Sequence, residues 1–288
     1  LATPCRPARS VARTRHAAVN PAPPIALTIA GSDSGGGAGI QADLRTFAAF
    51  GVHGTCVVTA LTAQNTRAVD AIHAVPGAML RAQLDAVLAD FRVGAIKTGM
   101  LASAATARDV AAILGRHPRI PVILDPVLVA TTGARLDTDG LAAALQKHLF
   151  ARADLLTPNI PEAERLLGRA IGGAADMRAA AMQLRELGPR AVLLKGGHLA
   201  GDDISDLLLT AGGEHWFHQR RVRGEGHGTG CSLSAAIAAG MARGRSLEDA
   251  VETAIGFVHD ALRAGYRPGR GRLRVLDHLA AAPARRGL

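Results

Sequence analysis

Cysteine, aromatic residues and lysine are all scarce in this sequence. Three cysteines occur in 288 residues, Cys5, Cys56 and Cys231, with no CxxC spacing. That leaves neither a disulfide framework nor a zinc ribbon, and a reducing cytoplasm is the expected location. Aromatics make up 3%, with one Trp and one Tyr, too few for the stacking platforms of a nucleic-acid binder. No apolar run approaches the ~18 residues of a membrane span, because charged, Gly or Pro residues interrupt each one. Lysine supplies only three of the 33 basic residues, a skew of the kind GC-rich coding produces. The net charge of +9 is itself terminal: residues 1–24 hold four Arg and no acid, and residues 263–288 hold seven Arg against Asp277. The segment between carries 22 bases against 23 acids, so no basic groove for nucleic acid is expected.

What is present suits a layered α/β fold. The chain is 48% hydrophobic and 20% charged, rich in Ala, Val, Leu and Ile, and long enough to bury a large core. Residues 1–24, Arg-rich and ending in Pro21, Pro23 and Pro24, read as a disordered basic extension, and 281–288 as a basic tail. A single domain is expected over 25–280, with no internal repeat. From Ile25 the text alternates short apolar runs with helical periodicity. Strands are expected at Ile25–Ala30, Val52–Ala63, Val69–Val75, Val93–Lys97, Val122–Leu124, Ala153–Leu156 and Ala191–Leu194, with a hairpin from Asp206–Thr210 and His215–His218. Helices are expected near 40–50, 78–90, 104–114, 140–150, 161–167, 177–187, 228–242 and 247–264. This βα order predicts a mostly parallel central sheet with helices on both faces.

Four places carry candidate chemistry. The stretch Gly31-Ser-Asp-Ser-Gly-Gly-Gly-Ala-Gly39 joins a strand to a helix, where glycines admit a ligand and helix-initial amides favour a polar or anionic group. It is neither a dinucleotide fingerprint nor a P-loop, and a plain chain reversal would use the same glycines. In Gly226-His-Gly-Thr-Gly-Cys231, residues Gly228, Thr229, Gly230 and Cys231 put consecutive N–H groups at a positive helix end, an anion hole for a phosphate in transfer. The same dipole is expected to lower the Cys231 pKa and make it a proton acceptor, against the alternative of a small buried helix residue. His227 reads as a structural residue of a glycine turn more readily than as a second base. Asp125, Asn159 with Glu162, and Lys195 each follow a strand, the edge where open α/β sheets bind ligands, and suggest a shared Mg²⁺–phosphate site. Glu162 would equally serve as a helix-first-turn acid, and Asp125 as a turn residue before Pro126. Gln64 can match a ring nitrogen and a neighbouring amine with one carboxamide, as Gln does with adenine.

These segments together resemble the ribokinase-like superfamily, and within it the hydroxymethylpyrimidine/phosphomethylpyrimidine kinases. The blocks are collinear: Leu27 to Leu44, Val58 to Thr66, Lys97-Thr-Gly-Met-Leu101, Leu124-Asp-Pro-Val127, Leu156-Thr-Pro-Asn159 with Glu162, Lys195-Gly-Gly-His198 and His227 to Cys231. The resemblance implies a three-layer αβα kinase fold that uses ATP and Mg²⁺, acts on a small aminopyrimidine and then on its monophosphate, and forms a homodimer. It assigns Gln64, Gly31, Ala38, Asp43, Met100 and Val127 to the pyrimidine, and Asn159, Glu162, Lys195 and Gly196 to the nucleotide. Asp125 and Glu162 go to the metal, and Cys231 stands where many sugar kinases have an Asp base. Ser34-Gly35 and Ser232 depart from the common pattern without removing an assigned group. A fused thiamine-phosphate synthase domain, known in some relatives, is not expected. A pyridoxal kinase of the same fold is the competing reading, which Gln64 disfavours. A sensor that kept the pocket but lost catalysis is disfavoured by Asp125, Asn159, Glu162 and Cys231.

Overall fold

A computed structural model describes residues 22–128 and 140–283. Cys5, most of the expected 1–24 extension and the end of the 281–288 tail lie outside the described residues. The first strand, β1 (Ile25–Asp33), is an almost unbroken apolar run because both its faces are covered. It pairs in parallel with β2 (His53–Gln64) on one side and β4 (Val93–Thr98) on the other. Parallel pairing continues through β5 (Val122–Leu124), β6 (Leu155–Leu156) and β7 (Val192–Leu194). Antiparallel strands close both edges: β3 (Val69–Ala74) on β2, and the hairpin β8 (Asp203–Thr210) and β9 (Gly213–Arg220) on β7. The order across the nine-stranded sheet is β3-β2-β1-β4-β5-β6-β7-β8-β9, so the strand order switches direction beside β1.

Helices cover the two faces as expected. One face packs α2 (Gly77–Asp90), α3 (Ala104–Gly115), α4 (Leu141–His148), α5 (Ile160–Leu167) and α6 (Ala174–Glu186) through residues such as Leu84, Val110, Leu145, Leu166 and Leu184. The other packs α1 (Gly39–Ala49), α7 (Thr229–Ala242) and α8 (Leu247–Arg263) through Phe47, Leu233, Ile237, Val251 and Phe257. α7 is buried continuously from Ser232 to Gly240, so its residues are small and apolar on all sides rather than on one stripe. At Gly240 an added Cβ would stand 2.9 Å from the Ala250 Cβ, which shows how closely α7 and α8 approach.

One pairing was not expected from the sequence. β10 (Gly226–His227) and β11 (Arg274–Val275) form a two-stranded parallel sheet that ties the chain near its end to the loop before α7. Two-residue strands carry no period for a pattern to reveal. The same C-terminal segment also reaches the end of β2, where the Gly271 N–H donates to Thr66 Oγ1 at 3.0 Å.

Candidate active site

Six strand ends converge at one edge of the sheet. β1 ends at Asp33, β2 at Gln64, β4 just before Met100, β5 before Asp125, β6 before Asn159 and β7 before Lys195, and α7 starts beside them. They enclose a cavity of about 330 Å³ lined by every site residue expected from the sequence except Asp43 and Gly196. Gly31, Ala38, Gln64, Met100 and Val127 line it together with Asp125, Asn159, Glu162, Lys195, Gly228, Thr229, Gly230 and Cys231.

The glycine-rich turn holds an anion of its own. The Asp33 carboxylate accepts from the backbone N–H groups of Gly35, Gly37 and Ala38 at 2.8, 3.0 and 2.8 Å. Burial opposes its ionisation, but hydrogen bonds from His227 and these amides hold its pKa below the usual carboxylate range. The expectation that this turn offers its amides to an anionic ligand is therefore corrected, because Asp33 already takes them.

The start of α7 is different. Its first intrahelical donor is Ser232 N–H to the Gly228 carbonyl at 2.9 Å, so the N–H groups of Thr229, Gly230 and Cys231 have no partner within the helix. Gly228 enters the helix at φ 81°, and an added Cβ would meet the Gly37 carbonyl oxygen at 2.0 Å. Only glycine fits there, and it locks the start of α7 against the turn. A Cβ on Gly230 would lie 3.3 Å from Lys195 Nζ and 3.8 Å from Asp125 Oδ2, which places this helix end between the two halves of the cavity.

Cys231 lines the cavity but does not carry the lowered pKa expected of it. Burial pushes its thiol up to about 11; the Lys97 cation and the Gly39 N–H favour the thiolate, while Asp43 and Asp125 oppose it. The helix dipole is outweighed by desolvation and two carboxylates. Asp43, expected at the pyrimidine, does not line the cavity: fully buried, it accepts from Lys97 Nζ at 2.8 and 3.0 Å and from Thr28 Oγ1 at 2.6 Å. Thr28 and Lys97 face each other in the β1–β4 ladder, and Asp43 drops between them from α1. Burial alone would lower the Lys97 pKa, but Asp43 and the nearby Cys231 and Asp125 hold it above the ordinary lysine value.

At the far side Asp125 Oδ1 accepts from Lys195 Nζ at 3.1 Å and Thr157 Oγ1 at 3.2 Å, and Oδ2 from Ser234 Oγ at 3.3 Å. Burial works to lower the Lys195 pKa, and Asp125 with Glu162 raises it above the usual value. Asn159 and Glu162 form a reciprocal capping box on α5, with 2.9 Å bonds from Glu162 N–H to Asn159 Oδ1 and from Asn159 N–H to Glu162 Oε2. The helix-capping Glu162 also lines the cavity. Its burial pushes the pKa up to about 7, with Lys195 pulling it down and Asp125 adding to the rise. Gly196 stands behind the wall: its N–H donates to Asp206 at 2.8 Å, and an added Cβ would strike the Ser205 carbonyl oxygen.

The phosphomethylpyrimidine kinase family model matches residues 33–276. The chain belongs to the phosphomethylpyrimidine kinase family. A hydroxymethylpyrimidine/phosphomethylpyrimidine kinase of Streptomyces coelicolor is 44% identical over 89% of this chain and 94% of its own. A thiamine biosynthesis bifunctional protein of Geobacter sulfurreducens is 49% identical over 90% of this chain, which spans only 53% of that longer protein. Among solved structures, the pyridoxal kinase of Staphylococcus aureus in complex with AMP-PCP and pyridoxal superposes with a TM-score of 0.83 at 30% identity, covering 90% of this chain and 95% of that one.

Among the cavity-lining residues of this phosphomethylpyrimidine kinase family member that were not assigned to the site from the sequence are His227 and His198. His227 Nε2 lies 3.1 Å from Asp33 Oδ2, and His198 follows Lys195 in a loop braced by Arg221. The Arg221 guanidinium donates to the carbonyls of Gly201, Gly197 and Leu199 at 2.8, 2.6 and 2.6 Å. Burial, then the cations of Lys195 and Arg221, lower the His198 pKa. A histidine beside glycines gave no periodic signal for either role.

Proposed function

We propose that this protein transfers the γ-phosphoryl group of ATP to the hydroxymethyl oxygen of 4-amino-5-hydroxymethyl-2-methylpyrimidine and then to the resulting monophosphate, giving the pyrophosphate used in thiamine biosynthesis. One observation carries the reading: Gln64, the open amides of α7 and the Asp125–Lys195–Glu162 group line one cavity. Gln64 would hold the aminopyrimidine, with Gly31 and Ala38 approaching through backbone and Met100 and Val127 as apolar walls. Asn159 and Lys195 would face the nucleotide phosphates, and the amides of Thr229, Gly230 and Cys231 would receive the charge that builds on the transferring group.

Asp125 and Glu162 would hold Mg²⁺. Among the described residues no cluster of three or more His, Cys, Asp or Glu forms a metal cage. A site of two carboxylates suits a hard cation that keeps water and phosphate oxygens as its remaining ligands. When bound, such an ion neutralises phosphate charge. Cys231 Sγ would accept the hydroxymethyl proton. Positioning and charge stabilisation do most of the work in a loose phosphoryl-transfer transition state, so a weakly populated thiolate suffices. Its fraction is set by Lys97 and the Gly39 N–H against Asp43 and Asp125.

The working unit in this reading is one kinase domain over 25–280, cytoplasmic and dimeric. Among the described residues no helix is long and apolar enough to cross a membrane. The exposed Leu61 and Ile72 on the β2–β3 ribbon support a contact with a second copy, which light scattering would test. The solved pyridoxal complex favours pyridoxal phosphorylation as the second reading. Turnover of the hydroxymethylpyrimidine, its monophosphate and pyridoxal, each with ATP and Mg²⁺, separates the two. Both pyrimidines should be phosphorylated, and Cys231→Ala should abolish this; turnover of pyridoxal alone would replace the first reading by the second.

A further inference from the structure

His227 is only 4% exposed, yet the proposed chemistry gives it no part. Its Nε2 lies 3.1 Å from Asp33 Oδ2 and 3.2 Å from the Gln64 carboxamide nitrogen, and its Nδ1 is buried without a partner. The other end of that carboxamide, Oε1, is 3.3 Å from Thr62 Oγ1, whose hydroxyl is also 2.9 Å from the Ser32 carbonyl.

Counting protons settles which groups donate. The Ser32 carbonyl can only accept, so the single Thr62 hydroxyl proton goes there, and Thr62 offers Gln64 a lone pair. The ionised Asp33, already accepting three amides, can only accept as well. His227 Nε2 therefore carries the proton and cannot accept one from an amide. The opposite tautomer would set a bare nitrogen against a carboxylate and bury an Nδ1–H donor without acceptor, the costlier orphan. The one Nε2–H points to Asp33 Oδ2 and reaches Gln64 only as the second arm of a three-centre bond, which an oxygen can accept and an amide N–H cannot; with the Thr62 lone pair on the other side, this calls for the Gln64 oxygen toward His227 and its nitrogen toward Thr62. A half-turn about χ3 achieves this exchange and moves no other residue.

We propose that Asp33 and His227 are a positioning pair that fixes the sense of the Gln64 carboxamide, so that the cavity presents its donor and acceptor in the one order an aminopyrimidine matches. The remaining N–H and lone pair of Gln64 are left for a ring nitrogen and the adjacent amine. A pyridine without that amine satisfies only one of them. This inference rests on the pyrimidine reading above and names the device behind its selectivity.

The test is steady-state kinetics of wild type, His227→Leu and His227→Gln with the hydroxymethylpyrimidine and with pyridoxal at saturating ATP. With Leu the carboxamide is free to turn. KM for the pyrimidine should rise about tenfold, more than kcat falls, and its preference over pyridoxal should shrink by a similar factor. Gln, which places an N–H near the position of Nε2–H, should restore most of both. A pyrimidine KM held within about twofold in the Leu variant, a loss confined to kcat, or a Gln variant as poor as Leu would each overturn the proposal. ¹⁵N NMR of His227 in the wild-type protein supplies a readout independent of variant folding: protonated Nε2 with bare Nδ1 is expected, and the reverse overturns it. A wild-type protein that turns over no pyrimidine would instead sink the functional reading and leave the tautomer result standing.

Discussion

The buried pair of Asp43 and Lys97 lends itself to a double-mutant test. Both side chains have no exposed surface, and the ammonium sits 2.8 and 3.0 Å from the two carboxylate oxygens. At such a separation and an effective dielectric near 20 the attraction is about 6 kcal/mol. Desolvation costs several kcal/mol per ion, so the pair adds little net stability relative to apolar residues. Removing one partner strands the other, and Lys97→Met and Asp43→Asn should each destabilise by about 3–5 kcal/mol. The double variant should lose far less than the sum, leaving a coupling of about 3 kcal/mol. Because Asp43 keeps the Lys97 pKa above the ordinary value, the Lys97 part of the contribution should be full below pH ~10.4 and fade only as pH climbs through the higher folded value, while burial raises the Asp43 pKa, so that on the acid side its carboxylate takes up a proton at a higher pH than an exposed one would. Urea unfolding of the four proteins at neutral pH gives the cycle, provided m is unchanged. Additivity within about 0.5 kcal/mol would refute the reasoning, since it would mean that water screens the pair.

Other expectations follow from single contacts. Gly228→Ala forces a Cβ onto the Gly37 carbonyl at a φ of 81° and should cost about 2 kcal/mol or more, lowering phosphoryl transfer at least about tenfold; thermal melting and turnover check both. Glu162 binds its proton more tightly folded, with a pKa of about 7 against 4.5, so its effect on stability is most favourable below pH 4.5 and worsens as pH rises through 7. Glu162→Gln keeps an oxygen for the capping box and should remove this dependence, gaining up to about 3 kcal/mol at pH 8 in urea melts while losing activity. The Cys231 thiol should alkylate in the free protein with a midpoint near pH 11 rather than the usual value, and Lys97→Met should move that midpoint further up because a cation is lost; a midpoint below pH 8 would contradict the desolvation argument.

Much of this arrangement was legible in the residues. Apolar runs gave the parallel strands, and the polar residues after them, Asp125, Asn159 and Lys195, do meet in one cavity. Strand-end position is a property of local sequence, so it survives folding intact. What depended on distance in the chain was not legible. Asp43 was assigned to the pyrimidine by resemblance alone, and one helical turn along α1 carries it under the sheet to Lys97, off the cavity wall. The rise in the Cys231 pKa comes from desolvation and from carboxylates 188 and 106 residues earlier in the chain, Asp43 and Asp125, none of which a helix-dipole argument contains. His227 owes its place to β11, whose two residues lie near the far end of the chain.

The two glycine-rich segments look alike as text and behave oppositely. In the first, Asp33 fills the turn with an internal carboxylate that takes the amides of Gly35, Gly37 and Ala38. In the second, no acid stands in the first turn of α7, and its leading amides remain open. One end thus favours a neutral, hydrogen-bonding ring, and the other favours phosphate. In the proposed reading a hydroxymethylpyrimidine would span that gradient, with its uncharged ring at the first end and its reacting oxygen at the second. A monophosphate made there would carry its new charge beside the amides of Thr229, Gly230 and Cys231.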